Sequence, residues 1–261
     1  MNRRNIPSSG EPLGIVGCGT YRGFDVQSGT KAAQALEGVV NALLDGGGSL
    51  LDSSPMYGRA EQATGDTLAR LGRRKEAFLA TKVWTSGKAA GIAQMQASLK
   101  LLRTDHVDTH LETLTGWKAD GVTRYVGITH YHSGAFADLE RLIRGRRIDF
   151  VQFNYSLDDR AAESRLLSAA ADRGVAVLVN LPFGGGSLLQ RLSREPLPPF
   201  AAEIGCRSWP QVLLKFVLGH EAVTCAIPGT GNPAHMADNV AAAEGDLAEH
   251  RARILKWWLS R

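Results

Sequence analysis

The sequence predicts an α/β fold, a closed (β/α)8 TIM barrel preceded by an N-terminal hairpin. Three observations carry that reading. Short apolar runs bounded by turn formers alternate with helical patterns along nearly the whole chain, which is the signature of a parallel sheet. Seven such runs, with a weak eighth, are enough to close a barrel rather than leave an open sheet. The length of 261 residues suits one barrel of about 250 residues better than two separate domains, so residues 1–261 are read as a single domain.

The elements follow in order. The segment before Lys31, including Leu13 to Val16, is expected to form a hairpin or lid outside the repeat. From Lys31 to Asp45, Leu36, Val39, Val40, Leu43 and Leu44 recur at helical spacing, and Gly46-Gly47-Gly48 offers the left-handed freedom that ends a helix. Ser49 to Ser53 then reads as a buried strand with polar residues at its C-terminal end. Further strands are expected at Phe78 to Val83, His106 to Asp108, Arg124 to Ile128, Phe150 to Phe153, Val175 to Val179 and Val223 to Ile227, with the weak eighth around Ala241 to Glu244. Helical patterns fill the gaps: Glu61 to Leu71, Ile92 to Leu102, Leu111 to Ala119, Ala135 to Ile143, Ala161 to Arg173 and Val212 to Leu218. A last helix from Asp246 to Leu259 is expected to pack on the barrel, with Trp257 and Trp258 as a candidate oligomer contact.

One unit is irregular. Strand centres at Leu51, Leu79, Val107, Tyr125, Val151 and Val177 are separated by 28, 28, 18, 26 and 26 residues, so the third interval is short by about ten. It also begins at the poorest strand, since His106-Val107-Asp108-Thr109-His110 holds one apolar residue where a buried parallel strand needs a near-continuous run. Losing most of an interior strand would leave neighbouring edges unpaired and open a cavity. The spacing is therefore read as a segment omitted between Asp108 and Thr109 rather than one truly deleted.

Composition excludes several classes. Apolar residues at 44% and charged residues at 21% rule out a disordered or fibrous chain. The net charge of +4 is scattered, so no nucleic-acid partner is expected. Cys18, Cys206 and Cys225 are odd in number and far apart, which suggests neither disulfides nor a zinc site. No uncharged run is long enough to span a membrane, and the N-terminus lacks a secretory apolar region, so a cytoplasmic protein is expected.

Chemistry in a parallel barrel belongs at the C-terminal ends of its strands. There the sequence places Asp52 and Tyr57 after the first run and Lys82 after the second. A lysine ammonium beside a tyrosine favours the phenolate, and a carboxylate beside the lysine keeps it charged and oriented. Asp52, Tyr57 and Lys82 thus read as a proton-donor relay, with the lysine expected to lower the phenol's pKa.

These residues also carry a resemblance. LDSSPMYGRAE with FLATKVW, then RYVGITHY, FVQFNYS and AIPGTGNPAHMADN, resembles the aldo-keto reductase superfamily from Gly17 to Asn239. The resemblance implies a barrel that binds NADPH, with NADH as the alternative, and reduces a small carbonyl substrate as a monomer or weak homo-oligomer. It makes Tyr57 the general acid, tuned by Lys82 and Asp52. It puts Gly19, Thr20, Tyr21 and Asp52 against the cofactor, with Thr129, His130 and Gln152 on the nicotinamide carboxamide. Asn180 stands where many members stack an aromatic ring on the nicotinamide. Leu181, Pro182 and Gly184 fall in the loop passing over the pyrophosphate, while Pro228, Gly229, Thr230, His235 and Asn239 fall around the adenosine 2′-phosphate. Many members carry Lys and Arg at the positions of Gly229 and His235. The family's catalytic histidine has no clear counterpart, because His110 comes too soon after Lys82; a barrel that binds the cofactor but is catalytically impaired is the alternative reading. No metal ligands are expected.

Overall fold

The computed structural model describes residues 1–111, 117–118 and 121–261, and for residues 107–111 the course of the backbone. The chain opens with a two-stranded antiparallel hairpin, β1 (Arg3–Asn5) and β2 (Pro12–Gly14). Eight strands then form one parallel sheet: β3 (Cys18–Gly19), β4 (Leu50–Asp52), β5 (Phe78–Lys82), β6 (Val107–Leu111), β7 (Thr123–Thr129), β8 (Phe150–Asn154), β9 (Ala176–Asn180) and β10 (Cys225–Ala226), each paired with its neighbours in chain order. The two ends of that order meet. Val16 bridges Ala226, Gly19 bridges Gly229, and the Gly17 N–H donates to the Ala226 carbonyl at 2.8 Å while the Ala226 N–H donates to Ile15 at 2.9 Å. These bonds close the ring, and they require glycine: a Cβ on Gly19 would stand 2.9 Å from the Ile227 carbonyl oxygen.

The helices follow the expected alternation: α1 (Lys31–Asp45), α2 (Ala60–Leu71), α3 (Lys88–Leu101), α4 (Phe136–Gly145), α5 (Leu166–Asp172), α6 (Ser187–Leu192), α7 (Trp209–Leu218), α8 (Pro233–Ala241) and α9 (Leu247–Leu259). Their ends are written locally. The side chains of Thr30, Ser208, Asn232 and Asp246 accept from the first free backbone N–H groups of α1, α7, α8 and α9. Gly47, with φ +88°, provides the left-handed residue just beyond α1.

Strand alternation separates two kinds of core. Leu50, Phe78, Tyr125, Phe150, Ala176, Leu178 and Cys225 point inward and meet Ile6 and Leu13 of the hairpin, which plugs the N-terminal end of the barrel. The opposite faces, such as Val151, Phe153, Val177 and Val179, pack under the helices. Glu11 fastens the plug, since its carboxylate accepts from Tyr125 Oη at 2.5 Å and from Arg124 at 2.7 Å.

Three expectations are corrected. The eighth strand does not lie at Ala241 to Glu244, where α8 ends and the chain turns; it is β3, near the N-terminus. Leu13 belongs to the hairpin as expected, but Val16, placed with it outside the repeat, is part of the ring closure. The third strand runs unbroken through the Asp108–Thr109 position, with Val107 on Thr123 and Thr109 on Tyr125, and is as long as β5, β8 or β9. Most of the helix expected from Leu111 to Ala119 lies outside the described residues, and Leu111 itself ends β6. Trp257 is half-buried, its ring 5.8 Å from Trp209 and 6.2 Å from Phe200. Among the described residues no helix is long and apolar enough to cross a membrane, and no cluster suited to a metal ion occurs. The three cysteines are buried and unpaired.

Candidate active site

The polar residues gather at the C-terminal ends of β4, β5, β7 and β8. Asp52 closes β4 and Lys82 closes β5, and these two buried side chains are 2% and 5% exposed. The Lys82 ammonium donates to both carboxylate oxygens of Asp52, at 2.8 and 2.9 Å, and to the Ser53 carbonyl at 2.7 Å. All three of its protons are thereby used, which is what a buried charge needs to be tolerated. Gln152 donates to Asp52 Oδ1 at 3.0 Å and accepts from the Thr129 hydroxyl at 2.8 Å, so strands four apart in the ring share one network.

Tyr57 lies in the turn after β4, with Lys82 Nζ 5.2 Å from its ring centroid and the Tyr21 ring 5.0 Å away. The ammonium therefore sits against the ring while spending its hydrogen bonds on Asp52 and Ser53. The net shift of the phenol runs opposite to the lowering expected beside a lysine. Burial, followed by the negative charge of Asp52, pushes the Tyr57 phenol well above its ordinary value, and it stays protonated at neutral pH. A protonated phenol is a group that can give a proton.

Behind Lys82, Glu61 of α2 is also buried; it accepts from Thr81 at 2.6 Å and from Ser98 of α3 at 3.1 Å. Burial is the main cause raising its carboxyl's pKa. It closes the YGRAE motif in the first turn of α2, and nothing in the sequence signalled this pairing.

His130 follows β7. Its Nδ1 accepts from the Tyr131 N–H at 3.0 Å, so the ring proton resides on Nε2, which is free to donate. Burial, reinforced by neighbouring His132, depresses its pKa and keeps it neutral. Asn180, ending β9, donates to the His130 carbonyl at 3.1 Å. Thr20 is buried, its hydroxyl 3.0 Å from the Asp52 carbonyl oxygen and 2.9 Å from Ser53 Oγ. Ser53 was not singled out by the sequence, although it anchors both Lys82 and Thr20.

Most of the remaining residues singled out by the sequence follow β9 and β10. Leu181 has φ +50° and Pro182 is buried; Gly184, Gly185 and Gly186 then have φ +60°, +65° and +99°, a run of left-handed backbone that leads into α6. Pro228 is buried and Gly229 exposed, and the Thr230 hydroxyl accepts from the Asn232 N–H. His235 is exposed on α8 while Asn239 is buried there. The His110 backbone pairs with Thr81 and Val126, and its side chain lies outside the described residues. Tyr21, Met56, Trp84, Tyr131 and Leu181, all exposed, follow β3, β4, β5, β7 and β9 and give the mouth an apolar rim.

A model of the aldo/keto reductase family matches residues 15–256. The chain belongs to that family. It is 30% identical to the methylglyoxal reductase YeaE of Escherichia coli, over 98% of this chain and 94% of that one. An aldo-keto reductase of Klebsiella pneumoniae, solved with NADPH, superposes with a TM-score of 0.81 at 22% identity, covering 99% of this chain and 96% of the other. The apo form of an aldo-keto reductase from Bacillus halodurans gives a TM-score of 0.74 at 25% identity, covering 98% and 95%. The aldo/keto reductase barrel is thus the fold of this chain.

Proposed function

We propose that this aldo/keto reductase reduces a small aldehyde or ketone to an alcohol with NADPH as hydride donor and NADH as the alternative, and that Tyr57 donates the proton. The observation that carries this reading is the buried Asp52–Lys82 pair set directly against a phenol that remains protonated. When bound, the reduced nicotinamide supplies the hydride; every other task falls to the chain. The Tyr57 hydroxyl gives its proton to the carbonyl oxygen, and the Lys82 ammonium offsets the negative charge that develops on the phenolate. Asp52 holds Lys82 in place, and Gln152 holds Asp52.

The residues fit such a cofactor. His130 offers an Nε2–H, Thr129 a hydroxyl, and the glycine run at 184 to 186 a backbone that can approach an anion closely. Gly19, Thr20 and Tyr21 line the same end of the barrel. Thr230 and the capped N-terminus of α8 suit a phosphate, with Pro228, Gly229, His235 and Asn239 around it. Neither Gly229 nor His235 provides a permanent cation, so NADPH is expected to lead NADH by a modest margin. The chain works as a monomer or weak homo-oligomer on a small carbonyl substrate, approached over the apolar rim.

That the family's catalytic histidine has no clear counterpart in the sequence favours a second reading, a barrel that binds the nucleotide and turns over little. Following NADPH oxidation across a panel of aldehydes, methylglyoxal included because a relative bears that name, separates the two. Turnover supports the reductase, and tight NADPH binding with no turnover on any aldehyde supports the second reading.

A further inference from the structure

Two amide oxygens at the mouth of the barrel are buried and have no hydrogen-bond partner among the described residues: Oδ1 of Asn154 and Oδ1 of Asn180. They belong to adjacent strand ends, paired in register across β8 and β9. Alternation sets their direction. Phe150 and Gln152 precede Asn154 on the inner face of β8, and Ala176 and Leu178 precede Asn180 on the inner face of β9, so both asparagines continue inward-facing columns at the C-terminal end. Asn154 is 5% exposed.

Their orientation is not arbitrary. Each side chain is anchored through its NH2 group, Asn154 donating to Asp159 Oδ2 at 2.6 Å and Asn180 donating to the His130 carbonyl at 3.1 Å. Flipping either amide would set its oxygen against another oxygen, so the carbonyl end of each must face the remaining direction. A buried acceptor without a donor costs free energy that a ligand carrying N–H or O–H groups recovers. Gln152 and Thr129, by contrast, already spend hydrogen bonds on each other and on Asp52. The unspent acceptor capacity of the mouth therefore lies on β8 and β9.

We propose that Asn154 and Asn180 form a paired acceptor site for the nicotinamide riboside half of the cofactor, taking its ribose hydroxyl or carboxamide N–H donors in place of a stacked aromatic ring. The proposal rests on the cofactor reading above. It adds Asn154, which no motif marked, and gives Asn180 a directional hydrogen bond where a ring would offer a face.

The test measures binding, not turnover. Quenching of tryptophan fluorescence is titrated with two probes, reduced nicotinamide mononucleotide for one half of the cofactor and adenosine 2′,5′-bisphosphate for the other, in the wild-type chain and in Asn154→Leu and Asn180→Leu. Each variant is expected to bind the nicotinamide probe about tenfold more weakly, the size of one lost neutral hydrogen bond, and the adenosine probe as tightly as wild type. Asn180→Ser, which keeps an acceptor oxygen, is expected to recover part of the affinity. Unchanged affinity for the nicotinamide probe, or equal weakening of both probes, overturns the proposal. A wild-type chain that binds neither probe overturns the nucleotide reading itself and the paired site with it.

Discussion

On the β4–β5 side of the mouth, Lys82 spends all its protons on Asp52 and Ser53, and Asp52 takes a further hydrogen bond from Gln152. On the β8–β9 side, two buried amide oxygens have no partner among the described residues. The first side is complete before anything binds, and its geometry is set by the fold alone. The second is incomplete, with acceptors that the donors of a bound ligand would satisfy. The contrast separates two jobs: a preorganised acid needs rigidity, whereas a receiving surface needs polar capacity left over.

The largest effect is expected from breaking the complete side. Lys82→Met leaves Asp52 as an unpaired buried charge and should destabilise the fold by about 3–5 kcal/mol, measured by urea denaturation. A loss below about 1 kcal/mol would mean that water or a relaxed backbone satisfies Asp52 instead. Next in size is His130→Phe, which removes the Nε2–H donor at the boundary between the two sides. Affinity for reduced nicotinamide mononucleotide should fall about tenfold with stability nearly unchanged, and an unaltered affinity would remove His130 from the receiving surface.

The smallest effect concerns the support behind Lys82. The folded-state pKa of Glu61 is raised, mainly by burial, so its contribution to stability is full below the ordinary glutamate range and is lost as pH rises through the raised value. Glu61→Gln cannot ionise and keeps an acceptor for Thr81. Its stability relative to wild type should therefore improve as pH is raised from acid to neutral, in paired denaturation curves. A difference that is flat with pH would show that Glu61 ionises without cost.

Much of this was legible from residues. Asp52 and Lys82 could be found because each ends an apolar run, and strand ends are where barrels hold polar chemistry. The first strand of the ring was not legible: Gly17-Cys18-Gly19 has almost no apolar content, and its close approach to Ile227 and Gly229 is a tertiary demand for small residues that looks like a loop in sequence. The third strand was misjudged for the opposite reason. Its polar sequence argued against an interior position, yet the pairing of Thr109 and His110 with both neighbours continues the sheet through it. The direction of the Tyr57 pKa shift differs from expectation because proximity to lysine was legible while the burial of the phenol and the direction of the lysine's hydrogen bonds were not. Asn154 escaped notice since an orphaned atom is a property of three-dimensional surroundings.

The central claim is that Tyr57 is a protonated phenol that serves as the acid and is not needed to hold the cofactor. Tyr57→Phe tests it most directly, with NADPH oxidation in single turnover and NADPH affinity by fluorescence measured on the same protein. The account requires the rate to fall by about 10²–10⁴ while affinity stays within about twofold of wild type. Oxidation of NADPH by Tyr57→Phe at the wild-type rate would contradict it.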